Sequence, residues 1–308
     1  MRPGDVLSER DPARKRLMIG ILAQQMRIDV LTLLNRIGTG HWGGSSSAAE
    51  LTTALYFHRL RVDPHNPTME DRDRFVMSKG HAAPLLYAVL ARRGFFPPEE
   101  LQTLRALDSR LQGHPCMTKT PGVDMSTGAL GHGLSVGLGM ALASRLSGRG
   151  FWTYVMTGEG CLNEGQTWEA VMASAKFRPP RLVLMVDYNR VQLDGPSDRI
   201  MPLDPLYEKF RAFNWTTAPK VYDGHNVAQI MESFDWLDRQ DAAAASEREG
   251  PRSADRGPSV IVYDTRKAKG VSFMEGDHAW HGGQVTDEAY HRALPELREG
   301  LERLEAAL

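Results

Sequence analysis

The sequence predicts an α/β fold, a mostly parallel sheet covered by helices on both faces. Three β-rich runs, Phe151 to Thr157, Leu182 to Asp187 and Val260 to Thr265, alternate with helical stretches at 134–147 and 163–177. Such alternation is the pattern of strands joined by crossover helices. The chain has 308 residues, 42% apolar and 24% charged, which suits a globular protein with a sizeable core and argues against disorder over most of its length. The expected organisation is a single domain over 1–308.

The elements follow in order. A charged N-terminus precedes Leu17 to Met26, an apolar run that Arg27 and Asp29 cut too short to span a bilayer. With no signal-like segment, the expectation is a cytoplasmic protein without a membrane partner. Leu17, Ile21, Leu22, Ile28, Leu31 and Leu34 lie on one broad helical stripe, so Leu17 to Arg36 reads as an amphipathic helix ended by Gly38 and Gly40. The loop GTGHWGGSSS follows, then a helical segment at 46–60 and a turn at Pro64 and Pro67. A short strand from Arg74 to Ser78 and helices at 82–93 and 98–110 complete the first half. Residues 240–257, poor in aromatic and large aliphatic side chains, read as an exposed or disordered insertion. Thr286 to Leu308 has the pattern of an amphipathic terminal helix, and no internal repeat is present.

Charge and cysteine content narrow the function classes. With 37 basic and 38 acidic residues the net charge is −1, so no overall field favours nucleic acid or an anionic membrane. Cys116 and Cys161 give neither a disulfide framework nor a paired CxxC metal site.

Chemistry concentrates at two strand ends. TGEG closes the first β run, so the backbone N–H groups of Gly158, Glu159 and Gly160 can cradle a phosphate ahead of a helix. Alone this is weak, because GEG is more often a plain turn. Asn189 follows the next strand, 189 − 159 = 30 residues on. An acid and an amide oxygen at neighbouring strand ends suit Mg²⁺, which takes few protein oxygens together with phosphate.

GEGCLNEGQTWEA followed by VDYNRVQLDG resembles the thiamine-diphosphate motif of transketolases. GHWGGSSSAAE, DRFVMSKGHA, GHPCMTKTPGVDMSTGALGHGLSVGLGMALA and KAKGVSFMEGDHAWHG resemble further transketolase segments in the same order. The resemblance runs through nearly the whole chain and implies the diphosphate-type domain of the thiamine-diphosphate-binding fold. It implies thiamine diphosphate and Mg²⁺ as cofactors, and transfer of a two-carbon ketol unit from a ketose to an aldose. Glu159, the Asn189 side chain and the Val191 carbonyl stand where the family binds the metal. Gly158 and Gly160 match its diphosphate-contacting glycines, and His81 matches a histidine near the diphosphate. Gly128 and Leu130 match the segment against the cofactor rings. His41, His114 and His281 match histidines of the substrate channel, where a ring titrating near neutrality can hold or hand on a proton.

Bland readings stand beside these. A histidine next to glycine in a loop is usually just exposed, and only the joint placement of four in matching blocks weighs against that. Asp277, His278, His281 and Cys116 lack zinc-ligand spacing. Asp223 and His225 in YDGHN are equally well a structural turn. The sequence departs from the family twice: Glu159 replaces the metal aspartate with one more methylene, and His132 stands where glutamine is common.

The resemblance also implies a partner. The glutamate that activates the cofactor belongs to a pyrimidine-binding domain that nothing here resembles, so the missing half is expected on a separate subunit. Two copies of each are expected, with Leu17 to Arg36 as a candidate interface helix. Sugars or sugar phosphates are the expected substrates. Two other readings remain: another thiamine-dependent acyl or ketol transferase of specialised biosynthesis, and a non-catalytic regulatory or scaffolding subunit.

Overall fold

In a computed structural model, residues 3–246 and 257–308 are described. Six strands form one parallel sheet: β1 (Arg74–Met77), β2 (Thr153–Gly158), β3 (Leu182–Tyr188), β4 (Thr216–Thr217), β5 (Tyr222–Asp223) and β6 (Ser259–Asp264). Their order is β1-β2-β3-β6-β4, with β5 beside the far end of β6. The two-residue strands β4 and β5 are too short to leave a periodic signal.

Alternation along the strands supplies two cores. Tyr154, Met156, Val183, Met185, Ile261 and Tyr263 face one. Val155, Leu182, Leu184, Val186, Val260 and Val262 face the other. A sheet buried on both sides reads as a near-continuous apolar run. The first core is closed by the helices Pro12–Ile37, Ala83–Arg93, Val227–Ser246 and Asp287–Ala306, and the second by Gly133–Ser147 and Gly165–Phe177.

The structure changes several expectations. The first long helix starts earlier, at Pro12, because Asp11 caps it by accepting a hydrogen bond from the Arg14 N–H. At 26 residues it is long and apolar enough to cross a membrane by length and composition, contrary to the short apolar run, but 67% of its most apolar window is buried inside the fold. Most of the stripe expected to face a partner is therefore covered by this chain's own fold. Its apolar side chains are spent on the first core, where each contributes about 1.5–3 kcal/mol.

The segment expected as a helix at 98–110 is a short 3₁₀ turn, Pro98–Thr103. Ser109 accepts from the Leu111 N–H and bonds the Thr103 hydroxyl, and these local side-chain bonds replace the helical ladder. The segment expected at 46–60 is divided into Trp42–Ser47, Ala49–Ala54 and a π turn at Leu55–Arg59. Of the insertion expected at 240–257, residues 240–246 belong to the helix ending at Ser246, and 247–256 lie outside the described residues.

Candidate active site

The site lies beyond the carboxyl ends of four strands, the usual place for ligands in open parallel sheets. Lys79 and His81 follow β1, Glu159 follows β2, Asn189 follows β3 and Lys267 follows β6. The strand order does not reverse between β2 and β3, so the crevice is not a switch point; it turns back only between β4 and β6. The parallel register sets Gly158 opposite Asp187, which brings the GEG and DYN segments together.

One pocket is lined by His81, Leu130, Gly158, Glu159, Gly160, Asn189, Val191 and His281, together with Gly44, Lys79 and Lys267. Gly128 does not line it; it packs against the His114 ring, 3.6 Å from where its Cβ would be. The four histidines converge from separate loops. Ring centroids are 5.2 Å apart for His41 and His81, 5.7 Å for His41 and His281, 5.1 Å for His81 and His281, and 6.5 Å for His41 and His114. Burial lowers all four pKa values; that of His41 falls to about 4 with help from His114, and that of His281 to about 3 with help from Lys267. A neutral imidazole carries a hydrogen on one ring nitrogen and a lone pair on the other, so it can donate one hydrogen bond and accept another.

Glu159 is buried, and one of its carboxylate oxygens accepts from the Arg190 N–H, which stitches the end of β2 to the loop after β3. Burial and the neighbouring Asp187 charge push its pKa up to about 7, so a cation placed there would be favourable. The Asn189 amide oxygen accepts from the Val191 N–H at 3.2 Å. Gly158 lines the pocket, and a Cβ there would meet nothing of the chain nearer than 3.8 Å. The donor set of carboxylate, amide oxygen and carbonyl suits a hard cation bridged to a diphosphate.

Two lysines carry no role in the sequence reading, although both sit in segments that resemble the family. Lys79, 2% exposed, is ion-paired with the buried Asp187 and donates to the Gly44 carbonyl at 2.6 Å. Lys267, equally buried, donates to the Val191 carbonyl at 2.9 Å and lies 2.6 Å from His281 Nδ1. Burial lowers the Lys267 pKa to about 8, against the opposing pull of Glu159. The signal that could have found them is a basic side chain placed a few residues past a strand end, facing a phosphate cradle.

Other candidates resolve differently. His132 is exposed, with Nδ1 3.0 Å from the Leu130 carbonyl. His225 accepts from the Arg266 N–H through Nε2, so its Nδ1 hydrogen goes to Glu50; with Asp223 accepting from its backbone, it is a structural corner. Among the described residues, no three His, Cys, Asp or Glu side chains converge as a metal cluster. Both cysteines are free thiols.

Comparison with known proteins agrees with this geometry. Residues 20–297 match the family model described as transketolase, thiamine diphosphate binding domain. The chain belongs to the transketolase family.

Within the transketolase family the chain is 40% identical, over 90% of its length and 95% of the relative's, to a 6-deoxy-6-sulfo-D-fructose transketolase subunit from Clostridium sp. strain MSTE9. It is 37% identical to an apulose-4-phosphate transketolase subunit from Phocaeicola vulgatus, over 92% of this chain and 95% of that one. Human transketolase is 32% identical over 89% of this chain, which covers only 41% of the human protein. The transketolase structure from Campylobacter jejuni superposes with a TM-score of 0.80 at 25% identity, over 94% of this chain and 46% of that one. The chain thus spans about half the length of the solved transketolases it matches, and corresponds to the N-terminal, thiamine-diphosphate-binding subunit of a split transketolase.

Proposed function

We propose that this chain is the cofactor-binding subunit of a cytoplasmic, Mg²⁺-dependent transketolase. It moves a two-carbon ketol unit from a ketose to an aldose, and only together with a separate subunit carrying the pyrimidine-binding domain, two copies of each. The observation that carries this reading is the convergence of four imidazoles beside a pocket with an oxygen donor set and an open glycine cradle. When bound, thiamine diphosphate supplies the carbon nucleophile that carries the two-carbon unit.

The chain's own residues do the rest. The Gly158 and Gly160 backbones face the diphosphate with His81 nearby, while Glu159, the Asn189 side chain and the Val191 carbonyl hold the ion. Gly128 and Leu130 lie against the cofactor rings. His41, His114 and His281 contact substrate hydroxyls; kept neutral by burial, His41 and His114 each have a ring lone pair that can take and return a proton there, while His281 donates a hydrogen bond. The names of two relatives carry a sulfonated and a phosphorylated sugar, which supports a sugar with an anionic end as substrate.

Ketol transfer measured with a ketose phosphate donor and an aldose acceptor tests the reading. Turnover should require the chain, its pyrimidine-domain partner, thiamine diphosphate and Mg²⁺ together. Robust turnover by the purified chain alone would overturn the two-component assignment.

A further inference from the structure

We infer that Lys267 is a positioning residue that fixes the tautomer of His281, so that this ring carries its hydrogen on Nε2 and presents a donor to the substrate channel. The consequence for catalysis rests on the transketolase reading of the site; the tautomer itself rests on geometry alone.

The geometry is a fork. Lys267 follows β6 and its stem is buried, so the ammonium has little freedom to leave. It donates to the Val191 carbonyl at 2.9 Å, and His281 Nδ1 lies 2.6 Å from the same Nζ. An ammonium has three hydrogens and no lone pair. The ring nitrogen that faces it must therefore be the acceptor, because a hydrogen on Nδ1 would point into the three already on Nζ. In a neutral imidazole one nitrogen bears the hydrogen and the other the lone pair, which leaves the hydrogen of His281 on Nε2, the nitrogen turned away from Lys267.

Among the described residues, His281 is the one member of the four-ring cluster with a hydrogen bond to a ring nitrogen. The other three rings are held by packing and can present either nitrogen as donor. Only His281 has its role imposed, and the imposing group also holds the loop after β3, where the metal-binding carbonyl of the proposed site lies. Lys267 thus ties the loop that holds the diphosphate to the histidine that meets substrate. An orienting partner of this kind matters through the tautomer, since a ring with the wrong nitrogen protonated can be correctly placed and still fail.

The test is nitrogen-15 spectroscopy of the full chain labelled at histidine, with His281 assigned by its loss in His281→Gln. The wild type should show a bare Nδ1 and a protonated Nε2. Lys267→Met should shift His281 toward a mixture of tautomers with the remaining histidine signals in place, and Lys267→Arg, which also offers only donors, should keep the wild-type pattern. A hydrogen on Nδ1 in the wild type would overturn the proposal, even if Lys267→Met fails to fold. An unchanged His281 signal in a folded Lys267→Met would overturn it equally. With saturating thiamine diphosphate and the partner present, Lys267→Met should lower kcat roughly tenfold or more with KM little changed, and Lys267→Arg should restore most of it. Absence of ketol transfer by the wild type would count against the proposed reaction and leave the tautomer result standing.

Discussion

Gly40 and Gly283 exchange two backbone hydrogen bonds, 3.0 Å from the Gly40 N–H to the Gly283 carbonyl and 2.7 Å in the reverse direction. This isolated bridge joins two loops far apart in the chain and sets His41 beside His281. Gly40 has φ +146°, and a Cβ there would lie 2.3 Å from Leu34 Cδ2. We expect Gly40→Ala to lose about 1–3 kcal/mol of stability from strain and overpacking, measured by denaturant unfolding. Ketol transfer should fall further than the stability loss explains, because His41 moves with the bridge. A variant as stable and active as the wild type would show that the bridge does not place the histidine.

The clustered histidines give a second prediction. A group acting in the transition state affects turnover more than folding. In the reconstituted enzyme, His114→Ala and His281→Ala should each lose about 10²-fold or more in kcat, the range for general acid–base groups, with unfolding midpoints close to wild type. Unchanged turnover in both would remove them from the reaction.

The proposed metal site gives a third, centred on the residue that departs from the family. Glu159 reaches the Arg190 N–H with one more methylene than aspartate and has more rotamer freedom to lose on ordering. Glu159→Asp should therefore preserve or improve thiamine diphosphate affinity in Mg²⁺, while Glu159→Ala and Asn189→Ala should greatly reduce it. Calorimetric titration decides. Equal cofactor binding by Glu159→Ala in Mg²⁺ and in chelator would show that this residue holds no ion.

A fourth prediction concerns a buried ion pair away from the pocket. Arg27 grips both oxygens of Glu50 at 2.5 Å, and His225 Nδ1 lies 3.1 Å from the same carboxylate. Burial works against the charge, but Arg27 and His225 outweigh it and hold the Glu50 pKa down to about 2. A carboxyl whose pKa is depressed by folding contributes its stability fully above its ordinary value of 4.5 and loses it as pH falls toward about 2. Glu50→Ala strands the guanidinium in the interior and should cost about 3–5 kcal/mol at neutral pH. The gap between variant and wild type should narrow below pH 4.5, and a gap independent of pH would sink the assignment of this stability to the ion pair.

Much of this molecule was legible because its signals are local. The strands β2, β3 and β6 are runs of apolar residues long enough to be buried on both faces, and the register of β2 on β3 follows once they are parallel neighbours. The acid of GEG and the amide of DYN therefore lie at neighbouring strand ends and line one pocket, as their positions imply. Residues 98–110 failed for an equally local reason: Thr103 and Ser109 bond each other and the backbone, an option that apolar periodicity does not register.

The sequence by itself determined the fold class, the oxygen-rich cradle and the set of histidines, since each is written in contiguous segments whose period and turn residues act over a few positions. Tertiary structure decided what those segments meet. It buried the Pro12–Ile37 helix that amphipathicity left free for a partner, stood Lys79 on Asp187, and set Lys267 between the Val191 carbonyl and His281. Contacts between residues so far apart in the chain depend on sheet order and loop closure, and no single segment carries either, so the partners of these two lysines become visible only when the strand ends are assembled.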